Sequence, residues 1–339
     1  MNTEKELDKK ISVALGELAD LFNNKDVTEI LVDGPGRVWY ASAGKIYDVP
    51  ELLKSVNDVK KVVDNILRLF EKEINQQITT YEFNIGENAR FYAVLPPSVV
   101  GISPVFGIVK RPAKNLTWDD LLKYKSMDEN VIKILQKIIN TPKKAKILLA
   151  AGIGSGVTHI FNLCVNTVSD TKRVIVAERI HETIIEHKRA ILLESKNNEE
   201  NEFTKMINFS LTMRPDFVAI HLIDNANQTI EALNVMRSID ALISIVPTEG
   251  IFDALKRIEL NMLAGNLSLG VDDIKNIIAS GIKYVCYQQR FLDGRRKLTE
   301  IVRLDGVENG RYVVTPIIHW GAEKDEWVVS EEGEKLLND

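Results

Sequence analysis

Five short apolar runs dominate the second half of the chain: KILLAA (146–151), VIVAE (174–178), FVAIHLI (217–223), ALISIVP (241–247) and KYVCYQ (283–288). Each is apolar almost throughout rather than on alternate residues. A strand of that kind must be covered on both faces. Sheets of such strands are mostly parallel, with helices packed above and below. Helical stretches separate the runs, as the crossovers of a parallel sheet require. The second half is therefore expected to be α/β with a buried parallel sheet. At 339 residues the chain is long enough for two or three domains.

The first half follows a different grammar. Leu7, Ile11, Leu15, Leu18 and Leu21 share one helical stripe across residues 6–22. TEILVDGPGRVWYASAGKIYDV alternates, turns at DGPG and alternates again, which is a β-hairpin pattern. VNDVKKVVDNILRLFEKEI reads as an amphipathic helix, and residues 81–111 read as strands broken by glycine and proline. Residues 1–111 are expected to form a small N-terminal α/β domain, 112–127 a linker and 128–339 the second domain. In the linker, Thr117 is placed to N-cap a helix whose first turn carries Asp119 and Asp120. The helix ENVIKILQKIIN stops ahead of Pro142. ESKNNEENE reads as a flexible acidic loop. After the last apolar run, QQRFLDGRRKLTEIVRLDGVENGRYVVTPIIHW holds DG and NG turns between alternating segments, the pattern of an antiparallel meander.

Bulk properties exclude several functions. A net charge of −5 gives no basic field for nucleic acid. The charged N-terminus has no apolar core of a signal peptide, and no apolar run approaches the ~20 residues that cross a bilayer. A cytoplasmic protein without direct membrane insertion is expected. Cys164 and Cys286 lie in apolar company and read as small buried hydrophobes. The five histidines show no metal-ligand spacing.

The stretch ILLAAGIGSGVTHIF joins an apolar strand to a helix through Gly152, Gly154, Ser155 and Gly156. Glycines let consecutive backbone N–H groups point inward as an anion nest, and a following helix adds its positive end. A phosphate-binding loop also needs a lysine for the outer phosphates and a hydroxyl for magnesium. Thr158 stands at the hydroxyl position, but Val157 stands at the lysine. Taken alone, the loop fits either a nucleotide cradle or a tight strand-to-helix turn.

TEILVDGPGRVWYASAGKIYDV, ARFYAVLPPS, LTWDDLL, LLAAGIGSGVTHIFNLCVN, RVIVAERIHE, LTMRPDFVAI, DALKRIE and FLDGRRKLTEIVRLDGVENGRYVVTPI occur in that order. Together they resemble the type II/type IV secretion ATPases, in particular the branch driving tight-adherence pili, over about residues 26 to 320. The resemblance implies an N-terminal α/β domain and a RecA-like P-loop domain, hexameric rings, and nucleotide-driven motion passed to a membrane platform protein. It also shows departures. Where the family reads GGTGSGKTT, this chain reads AGIGSGVTH, with Val157 for the lysine and His159 for the second threonine. The acidic box IEDTxE has become AERIHE: Glu178 and Glu182 remain, and Arg179 replaces the aspartate. In the Walker B region MRPDRIIVGEVRG, Arg214 and Asp216 remain, while His221, Leu222 and Asp224 stand for glycine, glutamate and arginine. Pro247 stands at the family's box histidine. In the N-terminal domain, Arg90, Lys110 and Arg111 are candidates for its phosphate-facing arginines.

The losses share one physical direction. P-loop catalysis is mostly positioning and electrostatics, so removing the lysine, glutamate and histidine together removes most of the mechanism. The resemblance then implies a pseudo-ATPase with no cofactor, a structural or regulatory subunit of a pilus or secretion motor. Its partners would be itself or an active ATPase paralogue in a mixed ring, and the inner-membrane platform protein. The alternative is a nucleotide or cyclic-dinucleotide sensor, or a weak ATPase using ATP and magnesium through the remaining loop. Val157, His159 and Leu222 are expected to fill the ancestral pocket. Glu178 and Glu182, four apart, are expected on a solvated helical face, His221 as a hydrogen-bonded core histidine, and the basic tip from Arg290 to Lys297 as a solvated turn or, alternatively, a contact to a neighbouring subunit or an acidic partner.

Overall fold

The structure, a computed structural model, describes residues 2–42, 45–75, 77–86, 89–111, 115–141, 145–195 and 200–338. Residues 112–114 of the linker, Pro142 and residues 196–199 of the acidic loop lie outside the described residues. The chain divides into two compact units, Met1–Lys114 and Asn115–Asp339.

Unit 1 begins with α1 (Asn2–Leu15), a 3-10 turn at Gly16–Leu18 and α2 (Ala19–Asn23), followed by β1 (Val27–Val32), β2 (Val38–Ser42) and β3 (Lys45–Asp48). Then come α3 (Val56–Leu69), β4 (Thr80–Asn84), β5 (Ala89–Val94) and β6 (Val105–Lys110). The strands form one antiparallel sheet in the order β3-β2-β1-β6-β5-β4. Ile11, Leu15 and Leu18 pack with Val59, Val63 and Ile66 of α3 onto Ile30, Phe91 and Ile108 of the sheet. The single helix expected over residues 6–22 is broken, because Gly16 takes φ +56° and a left-handed residue interrupts the helical ladder. Its apolar stripe survives the break. The start of α3 is fixed by a capping box between Ser55 and Asp58, worth about 1 kcal/mol.

Unit 2 comprises α4 (Trp118–Lys123), α5 (Glu129–Asn140), β7 (Ala145–Ala151), α6 (Val157–Thr167), β8 (Val174–Glu178), β9 (Ala190–Glu194), α7 (Glu200–Phe209), β10 (Phe217–Ile220), α8 (Ala226–Ser238) and β11 (Ala241–Pro247). It continues through α9 (Ile251–Ala264), α10 (Val271–Gly281), β12 (Tyr284–Arg290), β13 (Arg296–Glu308), β14 (Arg311–Gly321), β15 (Glu326–Val329) and α11 (Glu331–Asn338). The sheet order is β15-β14-β13-β12-β7-β11-β10-β8-β9. From β12 to β9 neighbours are parallel. From β12 to β15 they are antiparallel. Strand β9 has no counterpart in the sequence reading. It is a five-residue, half-exposed edge strand, AILLE.

The central strand shows why the apolar runs are continuous. Ile147 and Leu149 of β7 face a core with α5 and α6, and Leu148 and Ala150 face a second core with α8, α9 and α10. Each fully buried Leu or Ile contributes about 1.5–3 kcal/mol, so both layers need apolar residues on successive positions. Thr117 and Asp120 form a reciprocal cap on α4. The cysteines are free and buried, and burial pushes the Cys286 thiol up to about 12.

Candidate functional site

The C-terminal ends of the parallel strands lie at one end of the sheet, where open α/β sheets bind ligands. The glycine loop leaves β7 at that end. Gly154 and Gly156 take φ +72° and +79°, conformations that L side chains rarely adopt. The loop is braced by Ser155 N–H donating to the Gly152 carbonyl (3.2 Å) and His159 N–H to the Gly156 carbonyl (3.1 Å). Helix α6 starts at Val157, and its N-cap, Gly156, offers no side-chain acceptor to the first helical N–H groups.

A second element meets the loop there. Strand β12 runs parallel to β7, with Gln288 opposite Ala151. Strand β13 returns with Arg296 opposite Arg290. The end of this hairpin therefore lies beside the glycines. Gln288 Nε2 donates to the Ser155 carbonyl (3.1 Å) and Arg296 Nε to the Gly154 carbonyl (2.9 Å). A Cβ on Gly154 would fall 2.9 Å from Arg290 Nη1, and one on Gly156 would fall 3.2 Å from Arg296 Cδ. Both arginines remain accessible to solvent. Partial burial, then the neighbouring Arg290 charge, holds the Arg296 guanidinium below its usual range.

The tip expected to be solvated from Arg290 to Lys297 is exposed at Arg290 and from Leu292 to Arg296, and is corrected at Lys297. The arginines lean on the loop, and Lys297 is only 1% exposed, with Nζ 2.8 Å from Asp325 Oδ1, 2.8 Å from the Lys125 carbonyl and over the Trp320 and Trp327 rings. An alternating strand pattern places Lys297 inward, and the aromatic rings let it stay there as a cation. Sequence reasoning missed Arg290 and Arg296 as loop residues. No local sequence signal could have found them, because the return of β12 beside β7 is set by the topology of the sheet.

Around the loop the substituted positions are packed. Val157 and Leu222 are partly buried against the α5–α6 core. Leu222 takes φ +80°. Thr158 Oγ1 and His221 Nε2 are 3.3 Å apart, and the His221 ring meets Phe161 edge-on at 5.4 Å. Burial, then the Arg296 charge, lowers the His159 pKa. Pro247 lies in register with Ala151, whose carbonyl accepts from Thr248 N–H (3.0 Å).

Glu178 requires the largest correction. It ends the buried strand β8 and is 1% exposed, so it shares no solvated helical face with Glu182. Its Oε1 accepts from the backbone N–H groups of Glu182 and Thr183 (both 2.9 Å). Its Oε2 accepts from Thr183 Oγ1 (2.9 Å) and lies 2.6 Å from His181 Nδ1. Burial alone would raise its pKa. The His181 hydrogen bond, the His221 charge and the Glu182 N–H outweigh that and lower it. The Arg179 carbonyl accepts from Ser195 Oγ (2.8 Å).

Within unit 2, Asp216 does not join the loop. Asp216 precedes β10, at the opposite end of the sheet. There it accepts from Arg173 N–H (2.8 Å) and lines a cavity of about 430 Å³ with Lys172 and Asp240. Arg90, Lys110 and Arg111 belong to unit 1. Arg90 pairs with Glu82 (3.3 Å), and Lys110 donates to the Asn24 carbonyl (2.5 Å).

These donors do not fit a magnesium nucleotide. The loop has no lysine, Leu222 presents hydrocarbon, the Thr158 hydroxyl faces His221, and all four Glu178 contacts are internal. Among the described residues no group of three or more His, Cys, Asp or Glu is arranged to hold a metal. No described helix is long and apolar enough to cross a membrane.

A family model described as "Type II/IV secretion system protein" matches residues 14–338. The Legionella pneumophila ATPase DotB is similar with a TM-score of 0.59 and 15% identity, over 87% of this chain and 81% of that one. The pilus retraction motor PilT, solved with ADP, is similar with a TM-score of 0.55 and 12% identity, over 96% and 84%. An uncharacterized protein of Methanocaldococcus jannaschii is 24% identical over 174 residues, 48% of this chain and only 24% of that protein. The shared fold is an N-terminal α/β domain followed by a RecA-like domain.

Proposed function

Because the chain belongs to the type II/IV secretion system protein family, we propose that it is a catalytically silent member: a structural or regulatory subunit of a pilus or secretion motor. The observation that carries this reading is the packing of Val157 and Leu222. Both are partly buried against the apolar core, at the positions where the resemblance implies the phosphate-binding lysine and the water-positioning glutamate. A valine has no charge to offer a phosphate, and a leucine orders no water, so neither position supplies its part of phosphoryl transfer. Pro247 removes the third group. The scaffold around these positions is intact, which favours a role in shape or assembly. We place the protein in the cytoplasm, in a ring of its own or one shared with an active ATPase of the family. It would meet an inner-membrane platform protein of a tight-adherence or related system.

The test is ATP hydrolysis by the purified wild type and by Val157→Lys. Neither should turn over ATP above the buffer background, because one restored lysine leaves the glutamate and histidine missing. Turnover by the wild type, or its recovery in the single variant, refutes the reading.

A further inference from the structure

Helices α1 and α3 of unit 1 pack against each other on the sheet, and their outer faces enclose an open groove of about 730 Å³. Asn65 Nδ2 reaches from α3 to the Ala14 carbonyl of α1 (3.4 Å), which ties the two helices along it. The apolar part of its lining comes from Val13, Ala14 and Leu69. Val13 is 74% exposed, although the apolar stripe of α1 through Leu7, Ile11 and Leu15 already faces the core. One exposed valine on a surface is ordinary. Here it shares a concave surface with an apolar residue of a second helix, and the charge around the two has one sign. Lys9, Lys10 and Arg68 stand against a single carboxylate, Glu6, in the lining. Glu6 is occupied by Lys10 (3.5 Å). Among the described residues, Lys9 and Arg68 form no ion pair. The groove is thus a basic, partly apolar trough on a chain whose net charge is −5.

We infer that the α1–α3 groove is a docking site for an acidic amphipathic helix of a partner protein. Two packed helices leave a trough that a third can fill at an interaxial distance of about 8–10 Å. From Glu6 to Val13 the groove follows α1 for about 10 Å, at 1.5 Å per residue. That is about two turns, enough for an apolar ridge at i, i+3 or i+4, and i+7 of the incoming helix. Carboxylates beside the ridge meet Lys9, Lys10 and Arg68, and the Arg68 guanidinium can take one of them bidentately. The lysine stems add apolar contact along the rim. A lipid surface fits the groove less well. A helix that lies on a membrane buries its apolar face in lipid, and that face of α1 is already in the core. The inference does not depend on whether the glycine loop is silent.

The experiment is fluorescence anisotropy of the full chain with a synthetic helical peptide of about sixteen residues, carrying leucines at i, i+4, i+7 and i+11 and glutamates on both flanks. A lysine-flanked analogue is the control. Saturable micromolar binding of the acidic peptide is expected, about tenfold or more tighter than that of the analogue, and weakened about tenfold by half-molar salt. Lys9→Glu/Arg68→Glu should reverse the preference between the peptides, and Val13→Ser should lose about fivefold in affinity. All three side chains are exposed, so both variants should keep the wild-type Tm. No saturable binding, equal affinity for the two peptides, or full affinity in the double variant overturns the inference. Flotation with phosphatidylglycerol vesicles and light scattering of the protein alone accompany it. Vesicle binding or self-association that the same variants abolish would assign the groove to a membrane or to a second copy, and would overturn it as well. Should the double variant fail to fold, the salt dependence and charge preference of the wild type decide.

Discussion

Glu178 places both carboxylate oxygens on residues of the next five positions, closing a small polar knot where β8 leaves the core. A buried carboxylate is tolerated only when its acceptors are filled. Glu178→Ala removes the acceptors and strands two backbone N–H groups and a hydroxyl. We expect a loss of about 3 kcal/mol in urea unfolding. The pH dependence has a definite sign. The folded-state pKa lies below the ordinary value of 4.5, so the carboxylate's contribution is complete above about pH 4.5 and is lost as pH falls below it. Glu178→Gln should flatten that acid-side decline, and unfolding midpoints between pH 3 and 6 would measure it. In the sequence, the spacing of Glu178 and Glu182 suggested a helical face. The sign against a helix lay immediately upstream, in the apolar run from Val174 that Glu178 terminates.

The β12–β15 meander is held at its root by Lys297, which joins Asp325, the Lys125 carbonyl and two tryptophan rings. Lys297→Ala empties the space between the rings and leaves Asp325 without its closest cation. We expect a cost of about 2 kcal/mol, kept moderate because Asp325 itself is 42% exposed. Tryptophan emission should shift to the red as Trp327 is wetted. Lys297→Met, which keeps the stem, should lose less stability, and an equal loss in both variants would refute the role of packing. Elements with a strong period were legible in the sequence: α3, α5, the five apolar strands and the DG and NG turns. Strand β9 and the break at Gly16 were not. One is an edge strand only five residues long, too short for its apolar run to be told from a helical segment by periodicity, and the other is decided by the backbone angle of one residue.

At the scale of the molecule, each unit closes its own core. The two apolar layers of unit 2 are built wholly from residues beyond Asn115. Residues 115–339 expressed alone should therefore unfold in one cooperative transition; a non-cooperative melt by circular dichroism would refute this. The α/β class was readable from hydrophobic pattern because that pattern is local. The surroundings of the loop were not, because no local feature says which strand will lie next to β7. The register that sets Gln288 beside Ala151 also imposes an order in time. Strand β7 has neighbours on both sides only after β11 and β12 have been made, and 142 residues separate Gly154 from Arg296. During synthesis the middle strand of the future sheet waits with an unpaired edge while the ribosome adds most of the domain. Folding of unit 2 is thus governed by long-range closure and is slow by topology. The glycine loop takes on its positive lining among the last steps, when the hairpin docks.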